Sequence, residues 1–141
     1  MMDVTKSDYK FQKFNQENVE NLVADLGFNV DNYFLTMTKP SLLSRALIGN
    51  IVDFSSRYCI VCFSETEINL IMLSRMDNKK VTEIVKIDRN EINDMKLSNV
   101  LISYMLQIKA GGSTMKLQVF KKVGGFAKTT AAIELFKKLY Q

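Results

Sequence analysis

The sequence predicts an α+β, mainly β domain: a meander of six antiparallel strands closed or half-closed by a C-terminal helix, with a small helical appendage ahead of it. Three observations predict this. Residues 57–97 form short apolar or alternating segments separated by polar turns, the pattern of successive β-hairpins. Residues 99–123 read as two more strands over a Gly-Gly turn. From Phe126 the apolar period lengthens from two to that of an amphipathic helix.

The last hairpin is the most explicit stretch. Val100, Ile102, Tyr104, Leu106 and Ile108 share one face of an extended segment, and Ser103, Gln107 and Lys109 share the other. Gly111 and Gly112 supply the positive φ angles of a tight turn. The return strand places Met115, Leu117 and Val119 inward and Lys116, Gln118 and Lys121 outward. Gly124 and Gly125 break it. The helix then carries Phe126, Thr130, Ile133, Phe136 and Tyr140 along one line, widened by Ala132, Leu135 and Leu139. Leu101, Met105 and Phe120 point away from the inferred core, as an apolar patch or as contacts to the N-terminal helices.

Toward the N-terminus the signals weaken. Residues 1–14 mix charge with Tyr9, Phe11 and Phe14 and show no period, which predicts a frayed or loosely docked start. Asn15 is a fitting N-cap, Glu17 and Glu20 suit the first turns, Val19, Leu22, Val23 and Leu26 make a stripe, and Gly27 suits a stop. Residues 30–37 are ambiguous between strand and helix. Pro40 marks a boundary. Residues 41–49 suggest a short helix, with a strand over residues 45–52 as the competing reading. A helical appendage over residues 1–44 packed on a barrel over residues 45–141 is therefore expected.

From Arg57 the chain is β. Residues 58–63 (Tyr-Cys-Ile-Val-Cys-Phe) are apolar on both faces, the mark of a strand covered on both sides. Ile68, Leu70 and Met72 begin the return. Residues 77–80 make a turn, residues 81–87 a third strand, residues 88–90 another turn, and residues 92–97 a fourth strand.

With 141 residues and 47% hydrophobic content, the chain suits one domain with a sizeable core. No apolar run is long enough to span a bilayer, and the first residues lack an apolar signal core. Those features, with two cysteines, point to a reducing, cytoplasmic setting. The net charge of +4 is uneven: residues 99–141 carry +6 and the remainder −2. A basic end favours an anionic partner, although lysines also blunt sheet edges and solubilise outer faces.

Chemistry is mostly excluded by residue content. Cys59 and Cys62 form a CxxC, but inside a β run, where residues three apart point to opposite faces and the thiols diverge. The chain has no histidine and no third cysteine, which removes His-dependent nucleophile systems and leaves a zinc site short of ligands. Neither Gly-Gly pair has a phosphate-loop context. Met72, Met95, Met105 and Met115 fall at strand positions suited to filling the core rather than to soft-metal ligation. No catalytic residue, metal or cofactor is expected.

This pattern resembles the bacterial pleckstrin-homology-like (PH-like) domains across roughly residues 45–140. The resemblance rests on the hairpin Cys62-Phe63-Ser64-Glu65-Thr66-Glu67-Ile68-Asn69-Leu70, the link Ile87-Asp88-Arg89-Asn90-Glu91-Ile92, and the closing hairpin and helix. It implies a partly open barrel of seven strands plugged by the helix, the seventh strand being residues 45–52 or 32–38. The tryptophan that many such domains carry in this helix is absent, and Phe136 and Tyr140 are available to fill its volume.

The family uses its barrel as a scaffold for lipid, peptide and protein binding, so the fold alone names no function. The expected role is a non-catalytic binding or scaffolding module for a protein partner or for self-association, through a free strand edge beside the terminal helix. The alternative is docking to an anionic membrane surface through Lys79, Lys80, Lys121, Lys122 and Lys128. Nucleic acid is the poorer partner, because arginine is scarce and no aromatic–basic stacking strand is present.

Overall fold

The computed structural model describes residues 3–39 and 56–141. In chain order these form β1 (Asp3–Lys6), α1 (Gln16–Asp25), β2 (Tyr33–Lys39), β3 (Tyr58–Phe63), β4 (Glu67–Leu73), β5 (Val81–Asp88), a 3-10 turn (Arg89–Glu91), β6 (Ile92–Val100), β7 (Ser103–Ala110), β8 (Ser113–Phe120) and α2 (Thr129–Tyr140). The described strands make one open antiparallel sheet in the order β1-β5-β4-β3-β2-β8-β7-β6. It has eight strands rather than the expected six or seven. Of the two candidates for a further strand, residues 32–38 largely coincide with β2, and residues 45–52 lie outside the described residues, as does the helix expected over 41–49.

The connections force the sheet to curl. Flat, it would hold β5 and β6 roughly 29 Å apart, six strand spacings. The three-residue turn between them reaches about 14 Å at most. The inside of the curl is filled by α2: Ala132, Ile133 and Phe136 pack with Phe34, Val61, Phe63, Leu70, Ile87, Leu106, Ile108 and Leu117. Phe136 is fully buried, in edge-to-face contact with Phe34 and Phe63 and stacked on Tyr140 at 5.0 Å.

The end of α2 is latched. The Tyr140 hydroxyl donates to the carbonyl of Ser64 at 2.6 Å, and Arg89 lies 4.5 Å from the Tyr140 ring centroid. Arg89 also donates to the carbonyls of Glu65 and Leu139, so the 3-10 turn, the β3–β4 turn and the helix terminus form one unit.

The outer face of β2–β5 packs against α1. Val19, Leu22 and Val23 meet Tyr33, Leu35, Ile60, Cys62, Ile71 and Leu73. Asn15 caps α1 by accepting from the Asn18 amide at 2.9 Å, and Gly27 follows with φ +84°, both as its sequence foretold. Residues 59–63 are thus covered on both sides, by α2 within and α1 without, whereas Tyr58 at the start of the strand is exposed.

Four expectations change. In place of the expected frayed or loosely docked start, the chain from Asp3 is firmly docked: β1 pairs with β5, and Phe11 is 1% exposed between Tyr9 and Phe14 in edge-to-face contacts. Three aromatics without helical or strand spacing still pack when an adjacent strand fixes their backbone, as the Lys10–Lys80 bridge does. Residues 3–39 are not wholly helical, since β2 sits mid-sheet between β3 and β8. The terminal helix begins at Thr129, because Gly125 (φ +82°) closes a turn in which the Phe126 amide bonds Val123. Phe126 consequently packs on the outer face near Phe14, at 5.7 Å, and Thr129 rather than Thr130 is buried. Finally, Val100 ends β6 and Leu101–Ile102 form the turn into β7, so Val100 and Ile102 do not share the inward face of Leu106.

One buried ion pair stands at the inner rim. Arg57 and Glu83, 7% and 8% exposed, are 3.0 Å apart, and Thr82 bridges them by accepting from Arg57 and donating to Glu83. Removing one partner strands a buried charge.

Three stability measurements check this packing by urea titration. Phe136→Ala is expected to cost about 3–5 kcal/mol, and Phe11→Ala about 3 kcal/mol, where a frayed start would cost nothing measurable. Glu83→Ala is expected to cost about 3 kcal/mol by leaving the Arg57 guanidinium uncompensated.

Candidate binding surface

The sheet order leaves two edges, and they differ. β1 is four residues long and carries Asp3 and Lys6. β6 is nine residues long, with only Asp94 and Lys96 charged, and among the described residues no strand pairs with its outer side. Its register with β7 shifts between Ile92 and Asp94 and then runs unbroken to Val100–Ser103. A bulge of this kind discourages pairing, so the usable edge is the later part of the strand.

The direction of each backbone group follows from the turn. A two-residue hairpin loop is closed by a hydrogen-bonded pair, here Val100 and Ser103, and the pairing alternates from there. Ser98 and Lys96 therefore bond β7, while Leu97, Asn99 and Met95 turn their amides and carbonyls outward. The Met95 carbonyl indeed accepts from Gln141 Nε2 at 3.4 Å, at the end of α2. Leu97 and Met95 side chains are half-buried against the core, and Asn99 is exposed. The outer edge of β6 is thus an open row of backbone donors and acceptors beside a helix terminus.

The hairpin tip is apolar. Leu101 and Ile102 are 91% and 88% exposed. Leu101 has φ +52°, a left-handed conformation that favours glycine or asparagine. Behind the tip, the Tyr104 ring has Lys121 at 4.6 Å and Lys137 at 4.5 Å from its centroid, and Lys137 also donates to the Tyr104 hydroxyl. That bond, and the nearby Glu134, raise the Lys137 pKa. Lys121 donates to the Asn99 side chain and the Leu101 carbonyl.

The five lysines named from the sequence take separate places. Lys121 braces the tip. Lys122 is exposed at a cavity of about 390 Å³ on the outer face, walled by Phe14, Leu35, Tyr58, Ile60 and Phe120. Lys79 and Lys80 lie in the β4–β5 turn, where their backbones hold residues 10 and 11 through the Lys10 bridge and the Phe11 amide. Asn78 of that turn lines the same cavity as Lys122. Lys128 is engaged within the fold: it bonds Asp31 at 3.0 Å and Glu20 at 3.1 Å, which raises its pKa, and Glu20 also accepts from the buried Tyr33 hydroxyl. Of the foreseen apolar trio, Leu101 stands at the tip, Met105 is half-buried, and Phe120 lies 6.1 Å from Tyr58 by ring centroids. The tip was not legible in the sequence, because residues 98–102 contain no turn-forming glycine or proline.

The cysteines sit where alternation puts them, Cys59 in the inner cluster and Cys62 in the outer one, both buried and neither in a disulfide. Burial pushes the Cys59 thiol up to about 12 and raises Cys62 further. Among the described residues, no group of three or more His, Cys, Asp or Glu could hold a metal ion. Nor is any helix among them long and apolar enough to cross a membrane.

A thiol reagent such as Ellman's checks the cysteine geometry. Because the folded-state thiol pKa values lie above their ordinary range, thiolate is scarce well above neutral pH. No labelling is expected in the native protein at pH 8 and two equivalents in denaturant; fast native labelling would contradict the burial.

Neither a protein-family model nor a curated protein matches the chain.

Proposed function

We propose that the protein is a non-catalytic, cytoplasmic binding module of the PH-like type. It would receive an extended segment of a partner, or of a second copy, along the outer edge of β6. The observation that carries this reading is the open backbone of Leu97 and Asn99 beside the α2 terminus. Main-chain hydrogen bonds supply affinity in strand addition, and alternate side chains supply specificity.

Two features of the architecture support the PH-like part of the reading. Leaving out β1, the order is a four-strand meander (β5-β4-β3-β2) joined through β2–β8 to a three-strand meander (β8-β7-β6). The C-terminal helix fills the inside of the curl, with an aromatic residue, Phe136, at its centre.

The test is a proline at an outward amide. Asn99→Pro removes a donor that faces away from β7, so folding stability is expected to stay within about 1 kcal/mol of wild type. Association, measured by sedimentation equilibrium for self-pairing and by stoichiometric cross-linking for a partner, is expected to be lost. Ser98→Pro, at an inward amide, is expected to destabilise the hairpin itself. Unchanged association in folded Asn99→Pro would overturn the proposal.

A further inference from the structure

The β6–β7 hairpin tip is built unlike an ordinary turn. A two-residue loop with positive φ at its first position is normally glycine or asparagine, because a larger side chain is strained there. Here Leu101 takes that position and Ile102 follows, and both are almost fully exposed, next to Val100 at 44%. The sequence thus accepts strain and leaves apolar side chains in water at the most exposed point of the hairpin. A hydrophobic exposure of this kind marks a surface that meets something apolar.

The surroundings identify what. Lys121 and Lys137 stand beside the tip, and Lys122 follows Lys121 and is exposed, whereas Lys96, Lys109 and Lys116 lie farther along the strands and Lys128 is paired with Glu20 and Asp31. Lys121 is held at the tip by the Leu101 carbonyl and by Asn99, and with Lys137 it flanks the Tyr104 ring. Tyr104 pairs with Asn99, two positions back from the turn, or roughly 7 Å of strand rise. Apolar side chains ahead of an aromatic ring, with cations at that depth, match the layering of a bilayer surface: hydrocarbon, then interface, then anionic headgroups. Two side chains fall far short of the roughly 800 Å² per partner of a stable protein interface, which argues against a second copy as the main occupant.

We propose that the Leu101–Ile102 tip inserts into the surface of a membrane bearing anionic lipids, with Lys121 and Lys122 meeting the headgroups. This stands apart from strand addition at β6, since it uses the end of the hairpin and not its edge.

The chain contains no tryptophan, so Ile102→Trp is a single reporter in the full-length protein. With vesicles of phosphatidylcholine containing phosphatidylserine, its emission is expected to shift to the blue and to be quenched by brominated acyl chains. With phosphatidylcholine alone, the shift is expected to be weak or absent. The double variant Leu101→Asn, Ile102→Asn suits the turn conformation and is expected to keep the fold, which a thermal melt checks; its co-sedimentation with the anionic vesicles is expected to weaken about tenfold or more. Lys122→Gln, away from the turn, is expected to lose a few-fold. An unmoved tryptophan spectrum with anionic vesicles at low salt would overturn the proposal, as would wild-type vesicle binding by the double variant. Lipid-free dimerisation abolished by the double variant would overturn it too, by assigning the tip to a second copy.

Discussion

Burial of β2, β3 and β4 on both faces is the constraint on which the rest depends. A strand apolar on both sides must have a cover for each. Here α2 enters the curl from the C-terminal end of the chain, while α1 and the aromatic segment ahead of it close the outside from the N-terminal end. The two covers are tied together: Gln16 of α1 accepts from the Ala127 amide just ahead of α2, and Lys128 reaches Glu20 and Asp31. The chain's two ends therefore stabilise the same three strands.

That arrangement also decides which surfaces are left over. The faces of the central strands are taken up, and β1 shields the other side of β5. The curl brings the end of α2 toward β6, where Gln141 donates to the outward carbonyl of Met95. Among the described residues, the longer of the two sheet edges, β6, and the hairpin tip that continues it are left on the lysine-rich half of the sheet. Binding along the edge and contact at the tip are geometrically compatible, because β6 runs into the tip rather than beneath it.

Much of the architecture could be read from local pattern. Asn15, Gly27, Gly111 and Gly112 do where they stand what their chemistry favours, and the alternation of Met115, Leu117 and Val119 settles one strand. The misreadings have a common cause. Val100 and Ile102 continue the inward alternation of Tyr104 and Leu106, and a turn made of leucine and isoleucine carries no turn signal. Phe126 has the spacing of a helical residue, yet the Gly125 turn sends it to the other face of the sheet. Phe11 has no periodic partner, and only the tertiary pairing of residues 9–11 with the β4–β5 turn and β5 explains its burial. The candidate lysines were visible in composition, but their division between the tip, the cavity rim and an internal network depends on contacts between distant residues.

Hydrogen exchange on the dilute monomer tests most directly whether β6 presents a free edge beside a doubly covered sheet. Amides in the interior of β2, β3 and β4 should exchange slowest, and along β6 protection should alternate, with Ser98 and Lys96 slow and Leu97 and Asn99 fast. Uniform slow exchange across β6 would mean that its outer backbone is already satisfied within the chain, and the edge would not be there to bind anything.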